Sequence, residues 1–103
     1  SGKPRHIRVL EINDDGTVSG GAVFCTLDKG APDGIRVDAA GRVWTSSGDG
    51  VQIFGPDGKR IGRIILPEAA ANLCFGGPDG RTLFMTARTS LYAVPTAVAG
   101  ASR

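Results

Sequence analysis

Gly41-Arg42-Val43-Trp44-Thr45-Ser46 returns further along the chain as Gly80-Arg81-Thr82-Leu83-Phe84-Met85-Thr86. The turn Gly55-Pro56-Asp57-Gly58-Lys59 has a near copy in Gly77-Pro78-Asp79-Gly80-Arg81, and Gly50-Val51-Gln52-Ile53-Phe54 is echoed by Ser90-Leu91-Tyr92-Ala93-Val94. Each unit reads as strand, tight turn, strand. Units of several short strands, repeating about every 40 residues, are the signature of β-propeller blades. The fold class is therefore all-β. A blade cannot bury both faces alone, so the chain belongs to something larger or assembles.

Composition narrows the functions. The chain has 103 residues, 12 basic and 10 acidic, with a formal charge of +2. The arginines are scattered beside turns and form no stripe interleaved with aromatics, so no nucleic-acid partner is expected. No apolar run approaches the ~20 residues of a membrane-spanning helix, and no membrane partner is expected. Ser1-Gly2-Lys3-Pro4-Arg5-His6 does not read as a signal peptide. Cys25 and Cys74 lie in the apolar patterns Val23-Phe24-Cys25-Thr26-Leu27 and Leu73-Cys74-Phe75. They read as two buried thiols acting as small hydrophobes, which favours a reducing, cytoplasmic setting while leaving export of a parent protein open.

The glycine turns divide the chain into strands. Residues 5–12 and 22–27 read as a hairpin about Asn13-Asp14-Asp15-Gly16. Residues 34–38, 42–46, 51–54 and 59–66 read as the four strands of one complete antiparallel blade. Residues 71–75, 81–86 and 91–94 supply three strands of another. The expected division is an outer half-blade at 1–27, a complete blade at 28–66, a three-stranded blade at 67–94 and a fraying alanine-rich tail at 95–103. The inner pair of the half-blade would lie upstream of Ser1. A short helix at 67–71 has too few residues to nucleate.

Asp-Gly occurs five times, at Asp15, Asp33, Asp49, Asp57 and Asp79. Four of these sit at hairpin positions and read as turn formers. Asp33 differs because it leads into a strand after a longer loop. On composition alone it could still be another turn residue. Asp38 reads as a turn residue, and Trp44 and Phe84 as corresponding core positions. The acidic cluster at 13–16 lacks the spacing and terminal glutamate of a calcium loop. The cysteines lack zinc spacing. Ser46, Ser47 and Ser90 have no nucleophile elbow, and the lone His6 is remote from them. No phosphate-binding or dinucleotide motif is present.

Several motifs, in order, carry a resemblance: Pro32-Asp33-Gly34-Ile35-Arg36-Val37-Asp38, Gly41-Arg42-Val43-Trp44, Ala71-Asn72-Leu73-Cys74-Phe75-Gly76-Gly77 and Leu83-Phe84-Met85-Thr86. From Ala31 onward the chain resembles the C-terminal part of the senescence-marker-protein, gluconolactonase and regucalcin-like lactonase family. The resemblance implies about two to two and a half blades of a six-bladed propeller. It implies a parent enzyme that hydrolyses sugar lactones, with a divalent metal (calcium or zinc, otherwise magnesium or manganese) in its central channel. Of the family's metal ligands only the aspartate of the P-D-G motif maps here, as Asp33. That residue is the expected metal ligand and catalytic group: it could ligate a hard cation or take a proton from attacking water. Asn72, at the equivalent position of the next blade, is either a substrate-binding donor in the channel or the satisfier of a crossing loop.

One aspartate cannot supply the six to eight oxygens that calcium takes. The isolated chain is therefore expected to be inactive, the metal not held by this chain alone. Its partners would be a small-molecule lactone and either missing N-terminal blades or further copies of itself. The alternatives are a non-catalytic propeller module completed by oligomerisation or a partner chain, and a binding propeller that has lost its metal.

Overall fold

Nine antiparallel strands form three separate sheets in the computed structural model, which describes residues 6–28, 30 and 32–101. Arg5 and Ala31, where the first strand and the family resemblance were expected to begin, lie outside the described residues. The first sheet pairs β1 (His6–Ile12) with β2 (Val18–Thr26). The second has the order β3 (Ile35–Val37), β4 (Val43–Ser47), β5 (Gly50–Phe54), β6 (Arg60–Ile65). The third has the order β7 (Ala70–Gly76), β8 (Thr82–Ala87), β9 (Leu91–Pro95). No helix is long and apolar enough to cross a membrane among the described residues.

Strand register explains how the sheets pack. Trp44 lies opposite Ile53 and Ser46 opposite Val51, so these four share one face of the second sheet. Leu73 opposes Met85, which opposes Tyr92, and Phe75 opposes Leu83, which opposes Val94. The two faces meet in a core of Trp44, Val51, Ala70, Leu73, Leu83 and Met85. The Trp44 and Phe75 rings meet edge to face, with centroids 5.2 Å apart. The opposite face of the second sheet packs Val43 and Phe54 against Ile7, Phe24, Cys25 and Leu27 of the β1–β2 hairpin and the residue after it.

Three sequence expectations need correction. The return strand of the first hairpin starts at Val18, not at residue 22. Gly20 and Gly21 adopt positive φ inside it and the pairing register shifts nearby, so the glycine pair forms a bulge within the strand rather than a gap before it. Cys25 is buried but Cys74 is exposed. In Leu73-Cys74-Phe75 all three residues are apolar, and period-2 alternation turns Cys74 away from the core that Leu73 and Phe75 enter.

The tail does not fray through residue 101. Ala39 N–H donates to Ala99 O at 2.8 Å, Ala101 N–H to Val37 O at 2.9 Å and Gly100 N–H to Gly80 O at 3.2 Å. These bonds run along the edge of β3 that β4 does not use and tie it to the turn after β7. A Cβ on Gly100 would stand 2.7 Å from Phe75 Cβ, so only glycine lets the tail pass there. Gly100→Ala is expected to free the tail. Faster amide exchange at Ala39 and Ala101 would report it, and unchanged exchange would contradict it.

Candidate active site

β3 and β7 are the first strands of adjacent sheets, and they contact each other directly. Asp33 immediately precedes Gly34 and β3, while Asn72 lies near the start of β7. A Cβ on Gly34 would come within 2.8 Å of Asn72 Cα and closer still to Asn72 Oδ1. Glycine is therefore what lets the two strands touch. That contact brings the segment that carries Asp33 against the strand that carries Asn72. Both side chains are exposed. Asn72 Oδ1 accepts the Leu73 N–H at 2.8 Å.

Buried Ser46 on β4 organises the backbone at Asp33. Its Oγ accepts the N–H of Asp33 at 3.0 Å and that of Gly34 at 2.7 Å, and its own N–H donates to Gly34 O at 2.8 Å. A cavity of about 260 Å³ adjoins Asn72 and is lined by Arg36, Cys74, Phe84 and Thr86 among others. Phe84, expected in the core, is only half-buried there.

The same end of the second sheet carries an ion-pair network. Arg63 bridges Asp28 and Asp49, each at 2.8 Å, and Arg60 also reaches Asp28 at 2.8 Å. The hydrogen bond from Arg63 is the main reason that the Asp28 carboxyl is lowered to about 2. Burial pushes Asp49 up, but bonds from Ser47, Gln52 and Arg63 outweigh it and hold it below the usual range. Because Asp28 is depressed in the folded state, its contribution is present above the ordinary carboxylate value and is lost as pH falls toward about 2. NMR titration is expected to find Asp28 near 2, and to find it moved up toward the ordinary range in Arg63→Ala. An ordinary value in the unmodified chain would contradict the network.

The other Asp-Gly residues behave differently from one another. Asp15, Asp57 and Asp79 each accept a backbone N–H two residues on, the mark of a turn former. Asp49 joins a turn and the ion-pair network. Among the described residues no three His, Cys, Asp or Glu side chains lie close enough to hold a metal ion. The donors present here do not make a metal site by themselves.

Sequence reasoning missed two residues. Ser46 was weighed only as a nucleophile, and its clamp on Asp33 depends on cross-strand register. Asp38 is more than a turn residue, because its buried carboxylate also accepts the Trp44 indole N–H at 2.8 Å.

Comparison with known proteins places these features in context. Residues 2–89 match the family described as the SMP-30/Gluconolactonase/LRE-like region. Pentonolactonase XacC of Haloferax volcanii is 40% identical over 60 residues, which are 55% of this chain and 21% of that protein. Gluconolactonase of Zymomonas mobilis is 37% identical over 73 residues, 69% of this chain and 20% of that protein. An X-ray structure of a protein assigned to the gluconolactonases superposes with a TM-score of 0.91 and 41% identity, covering 96% of this chain and 34% of that one. The chain thus spans between a fifth and a third of the relatives it matches. The all-β sheets are part of a propeller of this kind, and the chain belongs to the SMP-30/gluconolactonase/LRE-like family.

Proposed function

We propose that this chain is the C-terminal portion of a divalent-metal-dependent hydrolase that opens sugar lactones. The observation that carries the reading is the contact of Gly34, the residue after Asp33, with Asn72 on the neighbouring strand. In this proposal Asp33 takes a proton from water as the water oxygen bonds to the lactone carbonyl carbon. The ring C–O bond then breaks, the leaving ring oxygen takes the proton back from Asp33 to become a hydroxyl, and a hydroxy acid results. Asn72 Nδ2 donates a hydrogen bond to the substrate. Calcium or zinc is the proposed metal, with magnesium or manganese next. Asp33 could offer it one oxygen, and its other ligands would come from outside this chain, so no step is assigned to it. A reducing, cytoplasmic setting belongs to the same proposal, and the two free thiols support it.

The test is lactone hydrolysis by the chain and by the full-length protein that carries it. The chain alone is expected to show no turnover of gluconolactone with calcium or zinc added. The full-length protein is expected to turn over, and Asp33→Ala to lower its kcat by about 10²-fold or more. An unchanged rate in Asp33→Ala would overturn the reading, and turnover by the chain alone would overturn the claim of incompleteness.

A second reading, a module completed by oligomerisation or a partner chain, is favoured by the exposed apolar side chains Ile35, Val37 and Leu91. Sizing separates the two: a defined oligomer of the chain supports self-assembly and a monomer opposes it.

A further inference from the structure

We propose that Ser46 is a positioning residue for Asp33, a role that rests on the lactone-hydrolase reading. Ladder pairing between β3 and β4 begins only at Ile35 with Thr45. Asp33 and Gly34 precede it, so the ladder does not hold their N–H groups. Ser46 does so instead, with one fully buried oxygen accepting both at 3.0 and 2.7 Å. The return bond from Ser46 N–H to Gly34 O closes the clamp. The three bonds fix the backbone from which the Asp33 carboxylate projects, while the absent Cβ of Gly34 seats that backbone on β7.

Without the hydroxyl, two N–H groups lose their acceptor, and the segment must shift to hydrate them. A displacement of about 1 Å at a reacting group can cost ~10²-fold in rate, whereas substrate contacts made by Asn72 on the other strand are untouched. The clamp therefore acts on kcat rather than on KM. Ser46 touches neither substrate nor metal in this account.

The experiment uses the full-length protein and compares Ser46→Ala, Ser46→Cys and Asp33→Asn. In Ser46→Ala, kcat for lactone hydrolysis is expected to fall about tenfold or more with KM changed less than about twofold. Amide exchange at Asp33 and Gly34 is expected to accelerate by a similar factor, and exchange along β5 and β6 to stay as it was. Ser46→Cys, of near-equal volume and a weaker acceptor, should fall between the two, and it carries the test if the alanine variant folds poorly. Lost turnover in Asp33→Asn with unchanged kcat in both Ser46 variants would overturn this inference alone. Retained turnover in Asp33→Asn would instead overturn the role given to Asp33, and no lactone turnover by the unmodified full-length protein would overturn the lactone-hydrolase reading on which the inference rests. Faster exchange without a loss of kcat would assign Ser46 a structural role only and would also overturn the proposal.

Discussion

Replacing Asp38 by alanine is expected to destabilise the chain by about 3 kcal/mol or more, a large share of the 5–15 kcal/mol typical of a folded domain. The Asp38 carboxylate is buried and accepts four hydrogen bonds. They come from the Trp44 indole at 2.8 Å, the Ala40 and Arg42 N–H groups at 2.9 Å each, and the Arg42 guanidinium at 3.3 Å. Alanine would leave the indole N–H unpaired inside the core and remove the support of the β3–β4 turn. It would also release Trp44, whose ring meets Phe75 at the junction of the two larger sheets. Trp44 is the sole tryptophan, so its fluorescence during urea unfolding reports on that junction. Asp38→Asn keeps an acceptor and is expected to lose less. If both variants unfold at the urea concentration of the unmodified chain, the carboxylate is not the anchor described.

The same group makes a pH prediction. Burial pushes the Asp38 carboxyl up, but the Trp44 indole, the Arg42 and Ala40 N–H groups and the Arg42 guanidinium outweigh it and hold it below the ordinary value. A depressed folded value means that the stabilisation is complete above the ordinary carboxylate range of about 4 and disappears as pH drops through the lower folded value. Asp38→Ala should therefore flatten the loss of stability on acidification.

Gly34→Ala is expected to damage the site directly. The new Cβ would lie 2.8 Å from Asn72 Cα, a backbone atom that cannot swing aside. Relief requires β3 and β7 to separate. Overpacking of this kind costs about 1–3 kcal/mol, and the displaced Asp33 is expected to cost the full-length protein about 10²-fold or more in kcat. Adding Asn72→Ala removes the side-chain part of the clash but not the Cα part, so the double variant should recover stability only in part. Complete recovery would show that the backbone contact is not limiting. Unchanged kcat in Gly34→Ala would show that the strands need not touch for chemistry.

Much of the fold was legible because its signals are local. Glycine turns such as Gly55-Pro56-Asp57-Gly58 and Gly77-Pro78-Asp79-Gly80 end strands within a few residues, and the run Arg42 to Ser46 announces a strand, which the fold buries on both faces. The P-D-G motif made Asp33 a candidate through resemblance, not through composition, since four other Asp-Gly pairs look alike. Three features escaped because they depend on partners distant in sequence. The tail looked free because alanines carry no pairing signal, yet it bonds to β3 across more than 60 positions. Cys74 looked buried because an all-apolar triplet does not declare which face is covered. Ser46 looked idle because its partners, Asp33 and Gly34, become neighbours only when β3 and β4 pair.

The most direct test of the account is a crystal structure of the full-length protein grown with calcium. Anomalous scattering is predicted to place a cation about 2.3–2.6 Å from an Asp33 carboxylate oxygen at the hub of the blades, with Asn72 at the same end. A cation bound without Asp33, or that carboxylate turned to the outer rim, would contradict it.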